Sequence, residues 1–169
     1  MSTNWTSPST ITQYAEDESH ISWIDNFSNI KSSTGRLVST TEPLLHIARQ
    51  PRNDITMKTY FLKMTGYNFQ NLPEEISGVE CRIKMNRGGR ISDDTVQLCY
   101  QDNLIGENQA ELKLDPITVY GSNTNTWKVA LTSSMLQDSS FGVVVRFRSH
   151  PQWPHSTTPL IDTVELQIY

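Results

Sequence analysis

Short runs in which apolar and polar residues alternate recur along most of the chain. Residues 78–85 show the pattern clearly, because Val79 and Cys81 begin an apolar phase whose gaps are filled by charged side chains. A period of two is typical of a β-strand that buries one side and exposes the other. Residues 141–149 and 160–169 repeat the pattern, which predicts two further half-buried strands.

More strands are predicted wherever β-branched and aromatic residues gather between Gly, Pro and Asn. They cover residues 19–24, 36–40, 43–49, 58–67, 95–100, 117–121 and 126–131. Residues 40–50 also fit a helix that starts at Pro43, and we favour the strand. One short helix is predicted within 131–140, with Thr132 or Ser133 as N-cap. Together these elements predict an all-β fold, an antiparallel β-sandwich or jelly-roll-like single domain.

The first 18 residues differ from the rest, since they are rich in Ser and Thr and show no period. We therefore divide the chain into a polar N-terminal arm, 1–18, and a β-sandwich, 19–169. The arm is either a disordered terminus or a segment that orders against a neighbouring subunit, which would bury Trp5, Ile11 and Tyr14.

The last predicted strand runs to Tyr169 and places Val164, Leu166 and Ile168 in one apolar phase. A strand that ends on an aromatic residue is normally held inside a sheet. Removing its last residues is therefore expected to unfold the domain, because ladder hydrogen bonds and buried apolar area would be lost together.

Charge and hydropathy exclude some broad classes of function. A net charge of −4 argues against a general nucleic-acid binder, because neutralising phosphates needs an excess of basic residues. The chain has no run of about 18 apolar residues, which a membrane span would need. Residues 1–20 have neither the basic nor the apolar region of a secretory signal, so we expect the protein to be made and folded in a cytoplasm.

The two cysteines, Cys81 and Cys99, fall in different phases of their alternating segments. If the two strands paired as a hairpin, the thiols would lie on opposite faces of the sheet. We therefore predict two reduced thiols rather than a disulfide.

Residue types used in catalysis are present, but not in arrangements that support a reaction. The four histidines are scattered, and a zinc site would need a third ligand at a fixed spacing. No Gly-x-Ser-x-Gly motif occurs, and a glycan depolymerase would need two carboxylates held across a groove. Asp93 and Asp94 follow Gly88–Gly89, which predicts a solvated hairpin tip. We predict no catalytic, cofactor-binding or metal-binding residues.

Basic side chains form one pattern with a possible role in binding. Arg82 and Lys84 project from one predicted strand, and Arg146 and Arg148 project from another. If the strands share a sheet, its outer face carries a cationic stripe that would dock on an acidic partner. The alternative is a solubilising surface in which these charges pair with Glu80 or Glu165.

Trp153 lies in a stiff segment with several prolines. An exposed Trp there would stack on a sugar ring or enter a pocket of a partner. The alternative is a Trp folded back over the end of the sandwich.

Three stretches resemble segments of bacteriophage virion proteins. The first, within 60–89, combines an Asn-Phe…Pro loop with a following apolar strand. The second, within 119–147, joins a Tyr-Gly-Ser turn, a Trp, a short helical turn and a Phe-Gly-Val strand, and the third is the closing strand. The matching residues are Asn68, Phe69, Pro73, Ile76, Gly78, Val79, Ile83, Tyr120, Gly121, Ser122, Trp127, Ser139, Phe141, Gly142, Val143, Arg146, Ile161, Asp162, Val164, Leu166, Ile168 and Tyr169.

This resemblance covers about residues 20–169 and implies a sandwich domain of a tailed-phage particle, of neck or collar, tail-fibre or head-decoration type. It carries over no catalytic residues. Because tail fibres are usually long multidomain chains, a single short domain favours a small accessory subunit present in several copies. The implied partners are other virion proteins and further copies of the same chain, and the implied location is the virion. A glycan-binding module for host attachment is the alternative function.

Overall fold

Strands make up most of the regular structure in the computed structural model, which describes residues 1–32, 37–47, 55–150 and 155–169. The strands are β1 (Thr10–Tyr14), β2 (Val38–Ser39), β3 (Leu44–Ile47), β4 (Ile55–Thr56), β5 (Phe61–Thr65), β6 (Val79–Asn86), β7 (Ile91–Tyr100), β8 (Asn103–Ile105), β9 (Ile117–Ser122), β10 (Gly142–Ser149), β11 (His155–Thr157) and β12 (Leu160–Ile168). Two short helices, α1 (Ser28–Ser32) and α2 (Ser133–Gln137), complete the described elements. The predicted all-β class is confirmed.

The strands form two main antiparallel sheets and one small sheet. The five-stranded sheet has the order β1-β5-β10-β7-β8, and the four-stranded sheet has the order β2-β12-β6-β9. The small sheet has the order β11-β3-β4. The inner faces of the two main sheets contribute to one hydrophobic core, which is the arrangement of a β-sandwich.

After β1, the two main sheets contain eight strands, and these pair in nested order along the chain, the first with the last and so on towards the middle. β2 pairs with β12, β5 with β10, β6 with β9 and β7 with β8. Pairing the first strand with the last and the second with the second-last results when a long antiparallel ribbon winds around a core. This is the winding of a jelly roll, as the sequence predicted.

The predicted alternation is confirmed for β6 and β12. Val79, Cys81, Ile83 and Met85 are buried along β6, whereas Lys84 between the last two is exposed. The three apolar residues predicted for β12 are also fully buried. Both strands lie inside the four-stranded sheet, with one face towards the core and the other towards solvent. β6 therefore keeps a period of two along its length, and β12 keeps it from Val164 to Ile168.

Strand β10 departs from the prediction, because it is buried on both faces from Gly142 to Phe147. Its outward-facing Val144 forms a second apolar cluster with Phe61 of β5 and Cys99 of β7. The two flanking strands thus cover the outer face of β10. The expected solvent-facing position of Arg146 is therefore wrong, since this side chain is buried as well.

Residues 1–18 pack against their own chain, which differs from both alternatives drawn from the sequence. β1 pairs along its whole length with β5. Thr3 N–H donates to the Ile168 carbonyl at 2.9 Å, and Thr6 bridges Leu166. The first residues therefore extend the same side of β12 that β2 occupies, and they satisfy backbone groups that would otherwise lie at a sheet edge.

The strand predicted for residues 126–131 is wrong, because Trp127 and Lys128 adopt left-handed φ values of 56° and 58°. The Trp127 side chain is fully buried, and its indole N–H donates to the Val79 carbonyl at 2.9 Å. Burial of the large ring offsets the cost of this backbone geometry. The predicted α2 is confirmed, and Thr132 is its N-cap.

Candidate docking surfaces and a buried polar cluster

The four basic residues predicted to form a cationic stripe do not form one. Arg82 and Lys84 lie on β6 in the four-stranded sheet, whereas Arg146 and Arg148 lie on β10 in the five-stranded sheet. The two pairs therefore belong to different layers. The prediction failed because alternation within a strand assigns a face but does not reveal which strands are neighbours.

Cross-strand ion pairs neutralise the basic residues of β6, in line with the alternative drawn from the sequence. Arg82 donates from Nε and Nη2 to Glu165 Oε2 at 3.0 and 2.7 Å, and Lys84 Nζ lies 3.0 Å from Asp162 Oδ2. The Trp5 ring lies 4.3 Å from the Arg82 guanidinium carbon. This cation–π contact fastens the N-terminal segment onto the outer face of the sheet.

We call the outer face of the four-stranded sheet the Arg82 face. A shallow groove crosses it. It has a volume of about 290 Å³ and is lined by Arg82, Lys84, Ile117, Thr163 and Glu165. A neighbouring groove of about 370 Å³ shares Lys84 and Ile117 and adds the apolar side chains of Leu37, Met85 and Pro116. Ile117 and Val119 are 55% and 40% exposed on β9 at the rim. The surface combines paired charges with exposed apolar side chains, as docking surfaces do.

We call the outer face of the five-stranded sheet the Tyr14 face. A second groove lies on it. It has a volume of about 270 Å³ and is lined by Tyr14, Lys63, Asp102, Asn103, Leu104 and Val144. Tyr14 stacks on Phe61 with ring centroids 4.9 Å apart, and Leu104 is 45% exposed. Burial against this layer raises the pKa of Tyr14, so its hydroxyl stays protonated at neutral pH.

Arg146 is built into the Tyr14 face rather than projecting from it. Its guanidinium carbon lies 3.9 Å from the Phe61 ring centroid, and its Nε donates to Asp94 Oδ2 at 2.6 Å. Glu16 and Lys58 complete the cluster, at 3.0 Å from Arg146 and 2.9 Å from Asp94 respectively. Burial alone would raise the pKa of Asp94, but the hydrogen bonds from Lys58 and Arg146 outweigh it and lower that pKa.

Asp93 and Asp94 do not form the predicted solvated hairpin tip. A β-bulge opposite Arg146 and Phe147 leaves Asp94 without a partner in the ladder between β7 and β10. The extra residue shifts the phase of the strand, so Asp93 and Ile91 share the inner face while Asp94 turns outwards. Two adjacent carboxylates therefore bind different arginines on opposite faces of one sheet.

Asp93 forms a buried polar cluster with Arg87 that the sequence did not indicate. The Arg87 and Asp93 side chains are 1% and 0% exposed and lie 3.1 Å apart. Arg87 also donates from Nε to the Asp115 carbonyl at 2.7 Å and from Nη2 to Thr118 Oγ1 at 3.1 Å. The Tyr120 hydroxyl donates to the second oxygen of Asp93. Since Asp93 and Tyr120 belong to opposite sheets, the cluster joins the two layers.

The ionisation and hydrogen bonding of this cluster suit a structural role, in which it holds the two main sheets together. Burial raises the pKa of Asp93, although the Arg87 charge and the Tyr120 hydrogen bond oppose that effect. Burial and the neighbouring Asp93 carboxylate raise the pKa of Tyr120, so its hydroxyl remains a donor. Every member is satisfied by another member or by a backbone carbonyl, as a stable buried network requires.

Both cysteines are free, as predicted, and the structure shows that both are buried, although their strands do not form a hairpin. Cys81 faces the core from β6, and Cys99 lies in the outer apolar cluster on β7. Burial raises the pKa of Cys99 to about 12 and raises that of Cys81 as well, so neither thiol is a nucleophile at neutral pH.

Three further points concern the role of Trp153, metal binding and membrane spans. Trp153 lies outside the described residues, so its predicted role in docking stays a prediction. Within residues 1–32, 37–47, 55–150 and 155–169, no group of three or more His, Cys, Asp or Glu side chains is placed to hold a metal ion. In that same part of the chain, neither helix has the length and apolar character needed to cross a bilayer.

The chain matches no protein-family model, no curated protein and no solved structure.

Proposed function

We propose that this protein is a non-enzymatic structural or accessory component of a tailed-phage virion. It docks on other particle proteins and associates with further copies of itself. The observation that carries the proposal is the jelly-roll winding of eight strands in its two main sheets, an architecture that recurs in viral capsid domains. The resemblance of its loops and closing strand to phage virion proteins supports the same class.

The distribution of polar groups supports a role in assembly rather than in chemistry. The charged groups that are deeply buried, Arg87 and Asp93, are tied to each other and to the backbone. The exposed apolar side chains lie instead on outer surfaces, where Leu104 lines the Tyr14 face and Ile117 lines the Arg82 face. Apolar side chains at the rim of shallow grooves suit contacts with another protein.

The decisive experiment locates the protein on purified particles. We expect cryo-electron microscopy and quantitative mass spectrometry to find it at a fixed copy number in a symmetric position. Its absence from particles that retain their other structural proteins would overturn the proposal.

A matched pair of variants tests docking through the Tyr14 face. Leu104→Lys places a charge in the groove and is expected to lower incorporation into particles at least tenfold, while the purified protein stays folded. Leu112→Lys is the control, because Leu112 is similarly exposed but does not line that groove. Equal incorporation of the two variants would rule out this face as the docking site.

Trp153 and its proline-rich surroundings support a second candidate function, binding of a host-surface glycan. A glycan array would show binding by the wild type and none by Trp153→Ala at unchanged thermal stability. An array without any signal from the wild type would remove this candidate.

A further inference from the structure

Among the residues that the structure describes, strand β9 has one open edge. It is the last strand of the four-stranded sheet there, so it pairs with β6 on one side only. The Met85 N–H donates to the Pro116 carbonyl at 2.9 Å, and the antiparallel ladder between β6 and β9 continues in register from these two residues. Because bonded and outward residues alternate in an antiparallel ladder, Thr118 bonds to β6 while the backbone groups of Ile117 and Val119 point away.

The open edge lacks the features that usually protect one. Among the described residues, no backbone hydrogen bond reaches the N–H or C=O groups of Ile117 or Val119. The strand Ile117–Ser122 carries no charge and no proline, and its exposed side chains are apolar. Natural proteins usually blunt such edges with Lys, Pro or a bulge, because an open edge is a template for another strand.

We propose that β9 pairs antiparallel with β9 of a second copy of this chain, around a two-fold axis at Thr118. Ile117 of each copy then opposes Val119 of the other, and each such pair exchanges both of its N–H···O bonds. The outer-face side chains of Ile117 and Val119 also pack against each other across the axis. Gly121 has a φ of 83°, which departs from extended geometry and keeps the regular pairing centred on Thr118 rather than further along.

A second copy suits this edge better than an unrelated strand does. An antiparallel edge is complementary to itself under two-fold symmetry, so one surface supplies both halves of the contact. The neighbouring Arg82 and Lys84 do not oppose the pairing, because Glu165 and Asp162 neutralise them. Their counterparts in the second copy lie three strand spacings away, about 14 Å, which exceeds the screening length of about 8 Å at physiological salt.

The pairing would join two four-stranded sheets into one continuous layer and place the two Arg82 faces side by side. The inference rests on the proposed function only for the claim that the chain associates with itself. It leaves the Tyr14 face free for other virion proteins.

Light scattering after size exclusion, over a concentration series, tests the proposal. We expect the wild type to approach twice its monomer mass of 19.3 kDa. Val119→Lys and Val119→Pro should stay monomeric and folded, because the Val119 N–H faces away from β6 and an edge position tolerates proline. Leu104→Lys, at the edge of the other main sheet, should still dimerise.

Cross-linking tests the register. A mixture of Ile117→Cys and Val119→Cys chains should form a disulfide dimer, because opposed Cα atoms lie about 5.5 Å apart in a bonded pair. Either variant alone should cross-link at least tenfold less, and the native thiols are buried. A wild type that is monomeric at every concentration, or a Val119→Lys protein that still dimerises, overturns the proposal, as does association only with a strand of a different protein.

The outcomes separate this inference from the proposed function. A protein found on particles that never dimerises through β9 would refute the inference alone. A β9 dimer that is absent from particles would refute the proposed function alone.

Discussion

Arg87 carries a positive charge in a place that solvent does not reach. Asp93, Thr118 and the Asp115 carbonyl surround its guanidinium, and the Phe147 ring centroid lies 5.8 Å from its central carbon. Arg82 lies on β6, which ends one residue before Arg87, and also pairs with a carboxylate, but its side chain is 34% exposed. The two residues allow a comparison of a buried and a surface ion pair that lie close together in the chain.

Arg87→Ala is expected to lower the free energy of unfolding by about 3–5 kcal/mol, because it leaves Asp93 buried without its countercharge. Arg82→Ala should cost only about 0.2–1 kcal/mol, since water solvates Glu165 once its partner is lost. Urea denaturation followed by circular dichroism measures both values. Similar losses in the two variants would show that burial does not set the strength of these pairs.

Asp94 makes the stability of the fold depend on pH. Burial raises its pKa in the folded protein, but the hydrogen bonds and charges of Lys58 and Arg146 outweigh burial, so the pKa is lowered from the ordinary value of 3.8. A carboxyl with a lowered pKa stabilises the fold above its unfolded pKa and loses that contribution as the pH falls through its folded pKa.

Asp94→Asn should therefore be less stable than the wild type at pH 7, and the difference should shrink as the pH falls below about 4. Asp93 acts with the opposite sign, because its raised pKa favours the fold at lower pH, and it is present in both proteins. Urea midpoints measured from neutral to acid pH give the difference directly. A difference that is constant across this range would contradict the assigned role of Asp94.

Strand β12 has neighbours on both sides along most of its length. β6 pairs with it from Leu160 to Ile168, while β2 and the first residues of the chain bond to its other side. The inner-face residues Val164, Leu166 and Ile168 are fully buried. The strand therefore holds the four-stranded sheet together through both its backbone and its side chains.

Ile168→Ala should destabilise the protein by about 2–5 kcal/mol, the usual cost of deleting a buried aliphatic side chain. Gln167→Ala is the control, because this half-buried side chain donates to the Thr3 carbonyl and to Ser2 Oγ, accepts from the Tyr169 hydroxyl, and buries little apolar area, so its loss is expected to cost about 1 kcal/mol. Thermal unfolding by calorimetry compares the two. A larger loss for Gln167→Ala would mean that the contacts of the first residues with β12 contribute more to stability than the burial of Ile168 in the core does.

Individual elements were predictable to different degrees, for physical reasons. β6 keeps a strict period of two, and β12 does so from Val164 to Ile168, because each has one solvent-facing side there. β10 has the same alternating sequence, yet neighbouring Phe61 and Cys99 cover its outer face, and a strand's own sequence does not encode its neighbours. The pattern at 126–131 suggested a strand, but the space left by Gly121, where an added Cβ would lie 2.5 Å from the Trp127 indole nitrogen, allows a tight turn instead.

The same limit applies to the candidate sites. Lys84 and Arg82 were found as outward-facing residues because their phase in β6 is unambiguous. The buried cluster was missed because a bulge at Asp94 reverses the phase, and acidic residues beside Gly88–Gly89 are typical of a solvated turn. One signal was available. The two carboxylates stand directly before a long β-forming run, which is compatible with a strand that starts earlier than predicted.

At the scale of the molecule, the period-two pattern predicted the class of fold but not its connections. β6 and β7 follow each other across a Gly-Gly turn, which is typical of a hairpin, yet they belong to different sheets. Pairing instead links strands that are far apart in sequence, such as β5 with β10 and β2 with β12. Such pairings depend on the closure of long loops, which local sequence does not determine.

The position of β12 also decides when a newly translated chain can reach its final form. β12, which lies between β2 and β6, leaves the ribosome after every other described strand, so until then β6 lacks one of its two neighbours. During that interval the apolar face of β6 is open to chaperones and to other nascent chains. Productive folding is therefore expected to wait for residues 160–168, and a ribosome that stalls before them would release an aggregation-prone intermediate.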